Sequence, residues 1–397
     1  MSFNIIRTSM TPNVLIIGAG MYVLGRDDRD LGTILPTLLQ EQAKGEIGEI
    51  FVASSRVTSA KAGLEKLKIL ASKLQVGPKV KFFPAAQDNH EEYLKIAKET
   101  KNLIAIVAVP DHLHFKITND LLDLGIPTMV VKPFTTTLSD AIALTKKAQG
   151  KKIFGAVEFH KRFDEANILL KDALTDNKIG DLLYVLVEYS QKRLIPLEVF
   201  KEWSAKTNIF QYLGVHYVDL IYHMTGARPV RVSATGQKNL LLAHGIDTYD
   251  SIQANILWEA RSGKNFNSVF LTNWIDSNKT SSMSDQKIKV IGTSGRIESD
   301  QKNRGLQMVD GEGIEDVNPY FSKSFKKKDG CYVDGYGPKS IRQFLQDCKK
   351  RTYSATATFA DAVISASVTE AVGESLRSNN QWVEIKHNLI KDFLNVQ

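Results

Sequence analysis

"VLIIGAGM", residues 14–21, is an apolar run that ends in Gly18-x-Gly20. The apolar residues predict a buried strand. The glycines predict a tight turn whose backbone amides can approach a pyrophosphate. The third glycine of the usual pattern is absent, its position being taken by Val23. Glycines return at Gly25 and Gly32, the second just before the helical run "TILPTLLQEQAK" (33–44). This spacing predicts an extended loop over 21–32 that includes "GRDDRDLG". An ordinary strand–turn is the alternative, and the surrounding sequence decides between them.

Downstream, short apolar runs alternate with helical patterns. "EIFVASS" (49–55), "VKFFPA" (80–85), "LIAIVAVP" (103–110) and "IPTMVVKP" (126–133) read as strands. Between them "SAKAGLEKLKILASKL" (59–74), "HEEYLKIAKETK" (90–101) and "KITNDLLDLG" (116–125) have helical spacing. Alternation with near-continuous Val, Ile and Ala predicts a parallel sheet buried on both faces by crossover helices. After about residue 156 the pattern changes. A helical stretch (165–180) leads into "DLLYVLVEYS" (181–190), followed by "DSIQANILWEA" (250–260), "NSVFLTNWI" (267–275) and "QKIKVIGT" (286–293). These runs partly alternate, as expected of a mainly antiparallel sheet with one face covered. The reading is therefore α/β: a parallel-sheet, dinucleotide-binding domain over 1–155 and an α+β domain over 156–397. A late amphipathic helix, about 358–378, is expected to pack back on the body.

Of 397 residues, 43% are hydrophobic and 24% charged, an ordinary globular composition. Cys331 and Cys348 are the only cysteines, too few for a disulfide framework or structural zinc, so a reducing cytoplasmic setting is expected. "MSFNIIRTSMTPN" (1–13) lacks a secretory h-region, and no apolar run is long enough to span a bilayer. The net charge of +7 is scattered. Its one cluster, "FSKSFKKKDG" (321–330), reads as a solvated loop, and no nucleic-acid module is visible.

Candidate site residues lie where these strands end. Gly18, Gly20 and Met21 would face the pyrophosphate. The second strand ends in Ser54, Ser55 and Arg56, where an NAD-specific domain usually carries an acid for the ribose 2′-hydroxyl. Two hydroxyls and a guanidinium suit a 2′-phosphate, which points to NADP over NAD. "YLGVHYVDLIYHMTG" (212–226) brings Tyr212, His216, Asp219 and His223 to similar positions on a helix surface. Metal binding at that spacing lacks a convincing third ligand.

Four features occur in order: the glycine turn, "AVPDHLHF" (108–115), "VVKPF" (130–134) and "GVHYVDLIYHMTG" (214–226). With "FHKRFDEAN" (159–167) and "KIGDLLYV" (178–185) between them, the chain resembles the Gfo/Idh/MocA oxidoreductases over nearly its whole length. That resemblance implies a Rossmann domain followed by a domain with a large open sheet, through which homodimers or homotetramers form. It implies NAD(P)-dependent oxidation or reduction of a hydroxyl carbon in a sugar, sugar nucleotide or cyclitol. The lysine of the family's Glu-Lys-Pro motif matches Lys132, and the histidine of its later motif matches His216. The motif Glu is Val131 here, and the Asp four residues before the histidine is Tyr212.

On this resemblance, Lys132 and His216 handle the proton, with Tyr212 and Asp219 as their partners. An ammonium at a strand's carboxyl end hydrogen-bonds the reacting hydroxyl, and partial burial lowers its pKa. Val109, Pro110, His112, His114 and Pro133 join the cofactor contacts. A capped helix start at Asp111 is an alternative use of that segment. Lys161 and Arg162 are placed toward the substrate. A non-catalytic nucleotide-binding protein on the same fold is the competing function. A hydrolase using the cofactor as a redox shuttle is a third.

Overall fold

Five of the apolar runs form strands of one sheet: β1 (Asn13–Ile17), β2 (Ile50–Ala53), β3 (Val80–Phe83), β4 (Leu103–Val107) and β5 (Thr128–Val131). A sixth, β6 (Gly155–Glu158), joins them, and a two-residue edge strand, Ala357–Thr358, completes the order edge–β6–β5–β4–β1–β2–β3. All neighbours are parallel except the edge strand, which runs antiparallel to β6. Helices Ile34–Ala43, Val57–Leu74, Glu92–Glu99, His114–Asp123 and Leu138–Lys151 make the crossovers. Val14, Ile16, Ile104, Ile106 and Met129 are buried in its core with side chains from helices Ile34–Ala43 and Val57–Leu74. From β1 the chain winds outward to β3, then returns to β4 on the other side of β1. The topological switch therefore falls between the carboxyl ends of β1 and β4, where open α/β sheets form their ligand crevice.

The computed structural model describes residues 11–26, 30–311, 313–350 and 356–394. The segment 1–10, which carries most of the reading of the N-terminus, lies outside them, as do residues 27–29 of the expected loop. The described chain splits into two compact units. The first holds the residues up to Phe134, then Asp140–Asp164 and Tyr320–Phe359; the second holds Thr135–Ser139, Glu165–Pro319 and the residues from Ala360. A contiguous division at residue 155 thus differs from the observed one. The reason is packing: Val333, Ile341, Phe344 and Leu345 enter the core of the first sheet, and Ala357–Thr358 pairs with β6.

The second unit is built on β7 (Leu182–Lys192), β8 (Arg228–Gln237), β9 (Ser251–Glu259), β10 (Asn265–Asp276), β11 (Ser284–Gly292) and β12 (Gly295–Asp300). The order is β12–β11–β7–β10–β9–β8, with Val383–Glu384 beside β8. Every pair is antiparallel except β7 with β10. Burial alternates along β10: Phe266, Ser268, Phe270, Thr272 and Trp274 are buried, while Asn265, Asn267 and Leu271 are exposed. Helix Val215–Thr225 covers the buried face, with Tyr217 meeting Tyr189 of β7 edge-on at 5.7 Å. The late helix, Phe359–Arg377, ties to β8 where Ala234 N donates to Ser375 Oγ at 2.9 Å.

Candidate active site

The turn after β1 is tight because nothing larger than hydrogen fits. Gly18 has φ +110°, and a Cβ there would stand 2.0 Å from Ala108 O, at the end of β4. Gly20 differs: nothing lies within 4 Å of where its Cβ would be. That open space beside bare backbone at the switch point is a cradle a phosphate can enter. The expected loop over 21–32 is partly helical, since Met21–Leu24 forms one short helix before helix Ile34–Ala43 begins. Gly25 (φ +73°) and Gly32 (φ +75°) close the neck of the loop. A Cβ on Gly32 would lie 2.4 Å from Gly25 N.

Lys132 follows β5 directly, and its peptide to Pro133 is cis. Burial pushes its ammonium down to about 8, against the opposing charges of Asp111 and Glu158, which favour protonation. Asp111 is buried in the turn after β4. Glu158, fully buried, is the last residue of β6 and pairs in register with Val131. The ring of His160 donates from Nδ1 to Glu158 Oε2 at 3.0 Å, and stacks on Tyr336 with ring centroids 5.6 Å apart. Tyr22, on the short helix of the glycine turn, lies in the same cluster, 6.2 Å from the His160 ring. Burial first, then the Glu158 charge, raises its hydroxyl well above the usual range. Phe321 closes the group, 5.0 Å from His160. The sequence reading missed Tyr22, Glu158 and His160 and gave Asp111 no charge role. The signal for two of them was present in "AVEFHKRF" (156–163), where an acid and a histidine follow apolar residues at a strand's end.

The other candidates of this unit fall at neighbouring strand ends. Ser54 Oγ donates to Phe83 O and to Arg56 O, both at 3.0 Å, so its hydrogen ties β2 to β3. Ser55 is half-buried and its carbonyl accepts from Asn89 N at 3.0 Å. Arg56 is exposed and caps helix Val57–Leu74 in an extended conformation. Val109 and Pro110 are half-buried and His112 is exposed. His114 is buried, with Nδ1 on Pro133 O at 2.7 Å and Nε2 on Val109 O at 2.9 Å. Its ring braces the Lys132–Pro133 turn against the β4 loop. Lys161 (1% exposed) and Arg162 (5%) occupy the 3-10 turn after β6.

In the second unit, His216 and Asp219 are buried in helix Val215–Thr225. The ring of His216 lies 6.4 Å from Tyr189. Tyr212 does not share that helix. It belongs to a wide π-type turn, Phe210–Gly214, and its ring packs edge-on against Phe200 at 5.0 Å. The π turn breaks the regular spacing assumed from sequence. His223 Nε2 accepts from Lys171 Nζ at 3.2 Å. Lys192 ends β7 and Arg193 follows it, its backbone N donating to Asp276 O at 2.9 Å. In the first unit, the expected loop of the lysine cluster is a hairpin, Lys323–Lys327 paired with Gly330–Asp334, with its lysines exposed or half-buried. Among the described residues, no three His, Cys, Asp or Glu side chains could hold a metal ion, and no helix is long and apolar enough to cross a membrane.

A family model described as "Oxidoreductase family, NAD-binding Rossmann fold" matches residues 48–159. A second, "GFO/IDH/MocA C-terminal domain", matches residues 168–298. Inositol 2-dehydrogenase of Rhizobium meliloti is 23% identical over 62% of this chain and 70% of its own length. An NADP(+)-dependent scyllo-inositol 2-dehydrogenase of Bacillus subtilis is 26% identical over 36% of this chain and 40% of its own. The crystal structure of Lactobacillus casei scyllo-inositol dehydrogenase with NAD(H) and scyllo-inositol superposes with a TM-score of 0.67 at 14% identity. It covers 94% of this chain and 99% of that one. At that identity the likeness is one of fold.

Proposed function

Because this chain belongs to the Gfo/Idh/MocA family of oxidoreductases, we propose that it is an NAD(P)-dependent dehydrogenase of a cyclitol or sugar hydroxyl. The observation that carries this reading is Lys132, a lysine at a strand's carboxyl end beside the switch point, with its pKa lowered to about 8. A group that changes charge near neutral pH can take and return a proton efficiently.

A bound nicotinamide supplies the hydride acceptor or donor. In the oxidative direction the neutral Lys132 amine takes the hydroxyl proton as the carbon loses hydride, which leaves a ketone and an ammonium. In reduction the ammonium returns that proton to the oxygen. His216 is the second proton-handling group and Asp219 orients it. Lys161 and Arg162 are the candidate substrate cations. Tyr212, packed against Phe200, acts at most through the shape of the turn that leads to His216.

Gly18, Gly20 and Met21 would hold the pyrophosphate, the open space at Gly20 being the feature that fits it. Val109, Pro110 and His112 would line the nicotinamide side, with His114 holding Pro133 in place. NADP is preferred because Arg56 stands exposed at the end of β2 where a 2′-phosphate would be met. A homodimer or homotetramer would form on the outer face of the second sheet. There Tyr184 (42% exposed) and Leu271 (40%) stand among polar residues.

Lys132→Met tests the central role. Turnover is expected to fall by roughly 10²–10⁴, the scale of a lost proton-transfer group, while cofactor fluorescence still titrates. Unchanged turnover would remove Lys132 from the chemistry.

A further inference from the structure

A carboxylate next to a catalytic lysine fixes both its charge and its direction, and residue 131, as valine, offers none. The neighbouring strand does. Residues paired across parallel strands project to the same face, about 4.8 Å apart. The partner of Val131 in β6 is Glu158. We propose that Glu158 is the positioning carboxylate of Lys132, supplied from β6 in place of an acid on the lysine's own strand.

Three features suit Glu158 to the role. It is fully buried, so its field acts through protein rather than water. It is itself held: the His160 ring donates to both its oxygens, at 3.0 and 3.2 Å, and the Tyr22 hydroxyl lies 3.5 Å from the same ring nitrogen. Through His160 this cluster also reaches the glycine turn, because Tyr22 belongs to the helix Met21–Leu24 that Gly20 caps. Among the described residues, the charges that favour the ammonium are those of Asp111, from the turn after β4 and the stronger of the two, and Glu158, from β6. Behind Glu158 stand His160, Tyr22 and Tyr336. Glu158 favours the ammonium, so its removal lowers the pKa of Lys132 further.

The inference rests on the catalytic reading of Lys132, but its test does not need turnover. The pH dependence of Lys132 acylation by acetic anhydride, read by peptide mass spectrometry on the full chain, gives the pKa of that amine directly. Glu158→Gln keeps the side-chain shape and is expected to lower that pKa by about one unit. Adding Val131→Glu to Glu158→Gln restores a carboxylate on the same face one strand away, and is expected to return the value toward wild type. Glu158→Asp, which keeps the charge, should stay near wild type, so a general packing defect is told apart from loss of charge. An unchanged pKa in Glu158→Gln overturns the proposal. So does a shift that Val131→Glu fails to reverse, or an equal shift in Glu158→Asp. If Glu158→Gln does not fold, the double variant decides, and a displaced lysine there is a negative result. A wild type without dehydrogenase activity that still shows the shift would refute the function and leave the Glu158–Lys132 linkage standing.

Discussion

Lys132 is pulled two ways, by burial toward the amine and by Asp111 and Glu158 toward the ammonium, and the balance falls near 8. The sign of the pH profile follows. In the proposed mechanism oxidation needs the amine, so its rate is expected to rise about tenfold per unit below pH 8 and then level off. Reduction needs the ammonium and should decline above the same value. Initial rates in both directions across the neutral to alkaline range check this; parallel profiles would contradict it. Lys132 and Gly18 could be found in sequence because their signals are local: a cation ending an apolar strand, and a glycine following one. Glu158 lay unread within the same kind of signal, since its meaning comes from register with Val131 rather than from its own neighbours. Tyr336 and Phe321 reach the His160 ring from a segment more than a hundred residues along the chain, and no spacing rule links them.

The strand ends and the loop neck make separate predictions. Arg56→Ala removes one charged donor, worth about 1.5–3 kcal/mol where it meets an anion. NADPH affinity should therefore drop by roughly 10- to 100-fold while NADH affinity stays, as read by nicotinamide fluorescence. An equal loss for both cofactors would detach Arg56 from the 2′-phosphate. Gly32→Ala would put a Cβ 2.4 Å from Gly25 N at φ +75°, and should destabilise the chain by about 1–3 kcal/mol in a thermal melt. At this scale the buried strands were the most legible, because continuous Val and Ile mark them wherever the sheet is covered on both faces. β8, "RPVRVSATGQ", was not, since Pro229, Gly236 and its polar residues argue against a strand until β9 pairs with it. Helices Leu138–Lys151 and Tyr336–Lys350 also went unread, although the second carries a clear apolar stripe of Ile341, Phe344 and Leu345.

Across the whole molecule, residues 320–359 return to the first unit because its core is incomplete without Ile341, Phe344 and Leu345. A linear reading has no means to foresee that return, for even the apolar stripe of helix Tyr336–Lys350 does not say which core it completes. The second sheet leaves Leu271 and Tyr184 outward on β10 and β7. On the proposed assembly through this face, Leu271→Arg is expected to lower the mass toward monomer in sedimentation; an unchanged mass would contradict an interface there. The central claim concerns chemistry, and the most direct measurement follows nicotinamide reduction by wild type and Lys132→Met with NAD and NADP across a panel of cyclitols and sugars. Reduction by wild type, with about 10²–10⁴-fold loss in a variant that still binds cofactor, is the predicted result. Tight cofactor binding by wild type with no reduction on any substrate would contradict the account and return the chain to a non-catalytic nucleotide-binding role.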